Sequence, residues 1–211
     1  MLNLRQEIIN SMTNTVENRI LAAIKSTKKG TVFFPESFVE IANAKAISKA
    51  LQRLVATGVL VRIATGMYAR PKKSKIVGQV LPGTEEIAHA IALRDNARIV
   101  PTGVYALNAL GLSTQVPLNI VYLTDGSPRF VKVGNRTIKF KKTTPKNLSA
   151  KSPLCSLAIQ ALREIGKTQV SPDDIKRILT LLKKEKQEYI RHDLMLAPEW
   201  IRQIMRQALK N

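Results

Sequence analysis

The sequence holds a single cysteine, Cys155, and two histidines, His89 and His192, far apart in the chain. One cysteine excludes an internal disulfide and makes a reducing, cytoplasmic setting the expectation. It also excludes a Cys/His zinc cluster, and neither a metal nor another cofactor is expected. No apolar run approaches the ~18 residues needed to span a bilayer, so no membrane partner is expected. The opening segment carries an acid at Glu7 and no apolar core after it, so it does not read as a secretory signal. No GxGxxG or GxSxG occurs, and Gly166-Lys167 has Ala161 where a phosphate-binding loop needs its first glycine. These gaps argue against an enzyme. Acids are scarce too: 15 Asp+Glu face 34 Lys+Arg, a formal charge of +19. Such a balance points to an anionic partner without naming it. Only ten aromatics occur and few lie near the basic stretches, which disfavours stacking on single-stranded bases.

What is present is a globular chain. Of its 211 residues 45% are apolar, too many for intrinsic disorder and enough for one large or two small cores. We expect two domains, residues 1–78 and 79–211. The basic segment from Arg70-Pro71-Lys72-Lys73-Ser74-Lys75 to Pro82-Gly83 links them. The two parts carry 13 basic and 4 acidic, and 21 basic and 11 acidic, side chains. Neither is a basic tail on a neutral domain.

The expected class is α+β. In the first part Val16, Ile20, Leu21 and Ile24 recur at helical spacing after possible caps at Thr13, Asn14 and Thr15. An extended stretch, Thr31 to Pro35, follows. Ser37 can cap a short helix over Phe38–Ala42, and Asn43 the next, with Ile47, Leu51, Leu54 and Val55 as its apolar stripe. Two β-prone runs, Val59–Ile63 and Met67–Arg70, flank Gly66. This order is the layout of a winged helix-turn-helix.

In that reading the helix from Asn43 to Val55 enters the major groove of duplex DNA. Lys45, Lys49 and Gln52 point away from the apolar stripe, with Ser48 and Arg53 beside them. Lysine donates to guanine O6/N7 and glutamine pairs with adenine N6/N7. Arg62, Thr65, Arg70, Lys72 and Lys73 form the wing and its continuation, suited to the backbone or minor groove. Tyr68 is expected to pack beneath the wing.

The second part reads as a mixed α/β domain. A helix capped by Thr84 carries Glu85 and Glu86 in its first turn, then come a strand at Arg98–Val100 and a helix over Thr102–Leu110. Three β-prone runs follow: Asn119–Thr124, Arg129–Val133 and Arg136–Lys141. Gly134-Asn135 marks a hairpin between the last two. Three helical segments close the chain, begun by Ser152-Pro153, Ser171-Pro172 and Pro198. From Gly126 to Arg163 there is no acid at all. Arg129, Lys132, Arg136, Lys139, Lys141 and Lys142 fall in that window, and the alternation there suggests one apolar and one basic sheet face. These residues are candidate partner contacts, and an anti-aggregation edge is the competing reading. Asp125-Gly126 reads as a turn, Asp173 and Asp174 as a helix first turn, and Cys155 as a small buried residue.

Two blocks of sequence resemble the AbiEi-type antitoxins of abortive-infection (phage-defence) toxin–antitoxin systems. The first comprises Leu51-Gln52-Arg53-Leu54, Gly58-Val59-Leu60 and Gly66-Met67-Tyr68. The second is Thr102-Gly103-Val104-Tyr105-Ala106-Leu107-Asn108-Ala109-Leu110-Gly111-Leu112-Ser113-Thr114-Gln115-Val116-Pro117. The likeness spans residues 15–165 and fades in the last helices. It implies an N-terminal winged helix that represses its own operon through promoter DNA. It also implies a C-terminal antitoxin domain that counteracts a nucleotidyltransferase-class toxin, and no enzymatic activity. The alternative is a stand-alone regulator whose second domain senses a ligand or dimerises.

Overall fold

The structure is a computed structural model that describes residues 15–74, 76 and 78–209, without the side chain of Lys73. It is α+β, as expected, and has two compact units, Met1–Ile87 and Ala88–Asn211. The expected limit at 78/79 falls nine residues before this division. Part of the expected linker forms a two-stranded antiparallel sheet of β4 (Lys72–Ser74) and β5 (Gly78–Val80).

In the first unit α1 spans Val16–Lys25. Thr15 caps it, its Oγ1 accepting the Asn18 N–H at 3.2 Å. Thr13 and Asn14 lie outside the described residues. After β1 (Val32–Phe33) the chain makes a 3-10 turn over Pro35–Phe38, and α2 spans Ala44–Ala56. The helix expected over Phe38–Ala42 is not there. Pro35 starts the turn earlier, and the Ser37 hydroxyl reaches back to accept the Phe34 N–H at 3.2 Å. Phe38 instead enters the core, its ring 5.8 Å from that of Phe33. Asn43 caps α2 as expected, its Oδ1 accepting the Ala46 N–H at 3.0 Å.

Strands β2 (Val61–Ala64) and β3 (Met67–Ala69) flank a two-residue turn in which Gly66 has φ +68°, a conformation glycine adopts without strain. β3 lies between β1 and β2, antiparallel to both. Ile20, Ile24, Phe33, Phe38, Ile47, Leu51, Leu54, Leu60 and Tyr68 form one core. Tyr68 is therefore packed inside, as the sequence suggested.

Helix α3 (Thr84–Arg94) contains the division between units; Thr84 is its first residue rather than its cap, and the Ile87 N–H donates to the Gly83 carbonyl ahead of it at 3.0 Å. In the second unit β6 (Ile99–Thr102) continues to Thr102, which pairs with Val121 in the ladder. Gly103, at φ +64°, then turns the chain, so α4 spans Val104–Ala109 rather than starting at Thr102. Strands β7 (Asn119–Thr124), β8 (Arg129–Val133) and β9 (Arg136–Lys142) complete a four-stranded sheet in the order β6-β7-β9-β8. The Gly134-Asn135 hairpin forms as expected, with Val133 opposite Arg136. β9 also runs parallel to β7, so β8 is left at the edge.

The chain closes with four helices, α5 (Pro153–Ile165), α6 (Pro172–Leu182), α7 (Gln187–Asp193) and α8 (Glu199–Arg206). Ser152 and Ser171 cap α5 and α6, accepting the N–H of Cys155 and Asp174 at 3.1 Å each. Asp174 completes the reciprocal cap at Ser171, which accounts for that acid structurally. The short α7 has no side-chain cap, which is why sequence pattern passed over it. Cys155, Leu162, Ile178, Leu182, Ile190, Ile201 and Met205 belong to the helical core. No helix among the described residues is long and apolar enough to cross a membrane.

Candidate nucleic-acid interface

The strongest candidate surface in the first unit is the outer face of α2. Ile47, Ala50, Leu51 and Leu54 are buried. Lys45, Ser48, Lys49 and Gln52 stand at i, i+3, i+4 and i+7, on the opposite side, and all four are exposed. The burial of one stripe is what orients the other. The Arg53 side chain is different: it makes an ion pair with Glu17 of α1. Arg53 thus fastens α2 to α1 as well as flanking the polar row.

The wing residues divide the same way. Arg62 in β2 and Thr65 at the turn are exposed. Arg70 is not an outward-facing cation. Its guanidinium Nη1 donates to the carbonyls of Ile24, Lys25 and Thr27 at 3.3, 3.1 and 2.8 Å. It closes the C-terminal end of α1, where unpaired carbonyls and the helix dipole favour a cation. Its backbone also pairs with the loop before β1: the Gly30 N–H donates to the Arg70 carbonyl at 2.7 Å. Lys72 is half-exposed and lies 3.5 Å from Glu86. Lys73 lies in β4, and its side chain is outside the described set. The outward row is therefore Lys45, Ser48, Lys49 and Gln52, with Arg62 and Thr65 on the hairpin.

In the second unit the alternation along β8 and β9 separates two faces. Val131, Ile138 and Phe140 are buried, with Ile120 and Tyr122 of β7. The Phe140 ring stacks 5.9 Å from that of Tyr122. Of the six candidate partner contacts, Lys132, Lys139 and Lys141 share the opposite, open face. Arg129, Arg136 and Lys142 have the parity of the buried residues. Arg129 makes an ion pair with Asp95, a charge partner that lies outside the acid-free window. The Lys142 ammonium donates to the Asp125 carbonyl at 2.7 Å. Arg136 is exposed beside the hairpin turn.

The open face also holds a residue not among the six, Phe130. It is 69% exposed, and the Lys139 ammonium lies 4.8 Å from its ring centroid. An aromatic in a hairpin is ordinarily read as core, so only the strand parity set by Val131 could have flagged it.

Elsewhere the titratable groups serve the fold. Asp125 accepts the Arg98 backbone N–H and Nε–H, both at 2.8 Å. Those bonds, the backbone one foremost, hold its carboxyl below the usual range. Burial pushes the Cys155 thiol up to about 12, so it stays protonated at neutral pH. Asp193 is fully buried and accepts the N–H groups of Lys151 and Ser152 at 2.8 and 2.9 Å, just ahead of α5. His192 lies beside it, Nδ1 2.7 Å from the Asp193 carboxylate, while His89 is exposed on α3. Among the described residues no group of three or more His, Cys, Asp or Glu is placed to hold a metal ion.

A family model described as "Family of unknown function (DUF6088)" matches residues 19–190. None of the curated proteins matches the chain.

Proposed function

The chain belongs to the DUF6088 family, whose description carries no activity, and we propose on other grounds that it is a DNA-binding regulator of the antitoxin type. Its first unit acts as a winged helix-turn-helix on its own promoter. The observation that carries this reading is the α2 face: an exposed Lys45, Ser48, Lys49 and Gln52 row set opposite a buried apolar stripe. The row spans two helical turns, the length over which a helix reads base edges in a major groove. The β2–β3 hairpin beside it supplies Arg62 and Thr65 to the backbone. The 3-10 turn takes the place of the first helix of the helix-turn-helix.

The antitoxin role rests on the resemblance of the Thr102–Pro117 block and on the basic face of the second unit. In this reading the chain counteracts a nucleotidyltransferase-class toxin, represses its own operon, performs no catalysis itself and works in the cytoplasm.

The test is binding of the full chain to the duplex upstream of its own gene. Specific binding is expected, with a log–log salt slope of about −0.9 per phosphate neutralised. Absence of salt-sensitive binding overturns the DNA-binding reading. Co-expression with a neighbouring nucleotidyltransferase tests the antitoxin reading, with rescued growth as the expected result. Promoter binding without such a neighbour leaves the stand-alone regulator.

A further inference from the structure

We propose that the open face of the four-stranded sheet binds single-stranded nucleic acid, with Phe130 as the base-stacking platform. The inference goes beyond promoter recognition, and it gives the basic sheet face an occupant other than the toxin of the antitoxin reading. Against the general scarcity of aromatics near the basic stretches, it turns on one exposed ring, Phe130. Ladder pairing places side chains of this face in rows across the strands. Thr102, Val121, Lys139 and Phe130 make one row; Asn119, Thr137 and Lys132 make the next, and Leu123 and Lys141 the third. Rows two residues apart lie about 7 Å from one another along the strand. An extended strand laid across them meets an aromatic ring, aliphatic Val121 and Leu123, and the ammonium groups of Lys132, Lys139 and Lys141.

Three properties select this occupant. The face carries three lysines and, in β7, β8 and β9, no acid. Its aromatic is exposed rather than used for packing, at 69%. A phenyl ring offers a π-face that any base can stack on, while lysines placed beside it meet the flanking phosphates. Lys139 sits over one face of the ring, so a base stacks on the other face or displaces the ammonium, which in either case stays near enough to meet the nucleotide's phosphate. A regular duplex keeps its base faces stacked inside and cannot use the ring. An acidic protein would use the lysines, and the aromatic as an apolar anchor.

The experiment is fluorescence anisotropy of the full chain with a labelled oligouridylate and a labelled oligothymidylate unrelated to the promoter. Phe130→Ala should weaken both by about five- to hundredfold, the range of one lost stacking contact. Phe130→Tyr should restore binding. Lys139→Glu with Lys141→Glu should weaken binding and flatten a salt slope of about −0.7 per phosphate. The exposed position of Phe130 leaves the fold intact, checked by unchanged thermal melting. Promoter-duplex binding, followed in parallel, should be weakened by Lys49→Ala and by Gln52→Ala but kept with Phe130→Ala. Oligonucleotide binding that ignores both Phe130→Ala and the lysine reversals overturns the proposal. So does displacement by polyglutamate as effective as by oligouridylate, which assigns the face to an acidic protein. A chain that binds oligouridylate through Phe130 but not its promoter overturns the promoter reading and leaves this one standing.

Discussion

The two basic surfaces differ in what surrounds their charges. On α2 the outward row from Lys45 to Gln52 is polar, and the large apolar residues Ile47, Leu51 and Leu54 are buried on the far side of the helix. On the sheet, lysines share one face with an exposed phenylalanine and two half-buried aliphatic residues. A polar helix row suits hydrogen bonding along a groove, and a mixed sheet face suits stacking. The arginines give a second contrast. Arg53, Arg70 and Arg129 all engage partners within the protein, whereas the cations on the outward row of α2 and on the open sheet face are lysines. The planar guanidinium fits several acceptors at once, as Arg70 shows with three carbonyls. Counting basic residues in the sequence therefore overstates the charge offered to a partner.

The largest effect should come from the buried side of α2. Leu51→Ala, at a fully buried site, is expected to destabilise the first unit by about 2–5 kcal/mol in denaturant unfolding. Promoter binding should be lost with the fold. Retained stability would mean that this stripe does not hold the outward row in place.

Arg70→Ala should cost about 2–3 kcal/mol, because three carbonyls at the end of α1 lose a charged donor. Binding per folded molecule should hardly change. A stable variant with a flattened salt slope would return Arg70 to the DNA-contacting set.

Gln52→Ala or Lys49→Ala should leave stability within about 0.5 kcal/mol, since both are exposed. Specific promoter binding should fall by about 1–3 kcal/mol and non-specific binding much less. Equal losses on cognate and random duplexes would reduce α2 to a backbone contact, and the contrast with the sheet would shrink to its aromatic.

The smallest effect concerns Asp125. Its carboxyl is held below the ordinary value of 3.8 by the two Arg98 hydrogen bonds. A carboxyl with a depressed folded pKa contributes stability above its unfolded pKa and loses it as pH falls through the folded one. The parent should therefore exceed Asp125→Asn in melting temperature by a margin that is constant near neutrality. That margin should narrow below about pH 4. A pH-independent difference would assign the contribution to neutral hydrogen bonding.

Much of this arrangement follows from local chemistry and was legible in the sequence. Asn43, Ser152 and Ser171 cap helices because their side-chain oxygens satisfy N–H groups that the first turn leaves open. The Ile47, Leu51 and Leu54 stripe forces Lys45, Lys49 and Gln52 outward by helical geometry alone. The Gly134-Asn135 pair makes its hairpin for the same local reason. Where local signals competed, as at Pro35 and Ser37, the sequence was ambiguous and the 3-10 turn prevailed over a helix.

The rest depends on residues far apart in the chain. Asp95 meets Arg129, Glu17 meets Arg53, and the end of α1 with the turn after it places three carbonyls around Arg70. None of these pairings leaves a periodic trace, because ion pairs and long-range hydrogen bonds carry no fixed sequence spacing. The parallel register of β7 with β9 is likewise non-local, and it sets Val121 beside Lys139, which the local β8–β9 hairpin pairs with Phe130. Alternation within a strand says which residues share a face. Strand order decides which face stays open and which side chains stand next to one another, and strand order comes from packing.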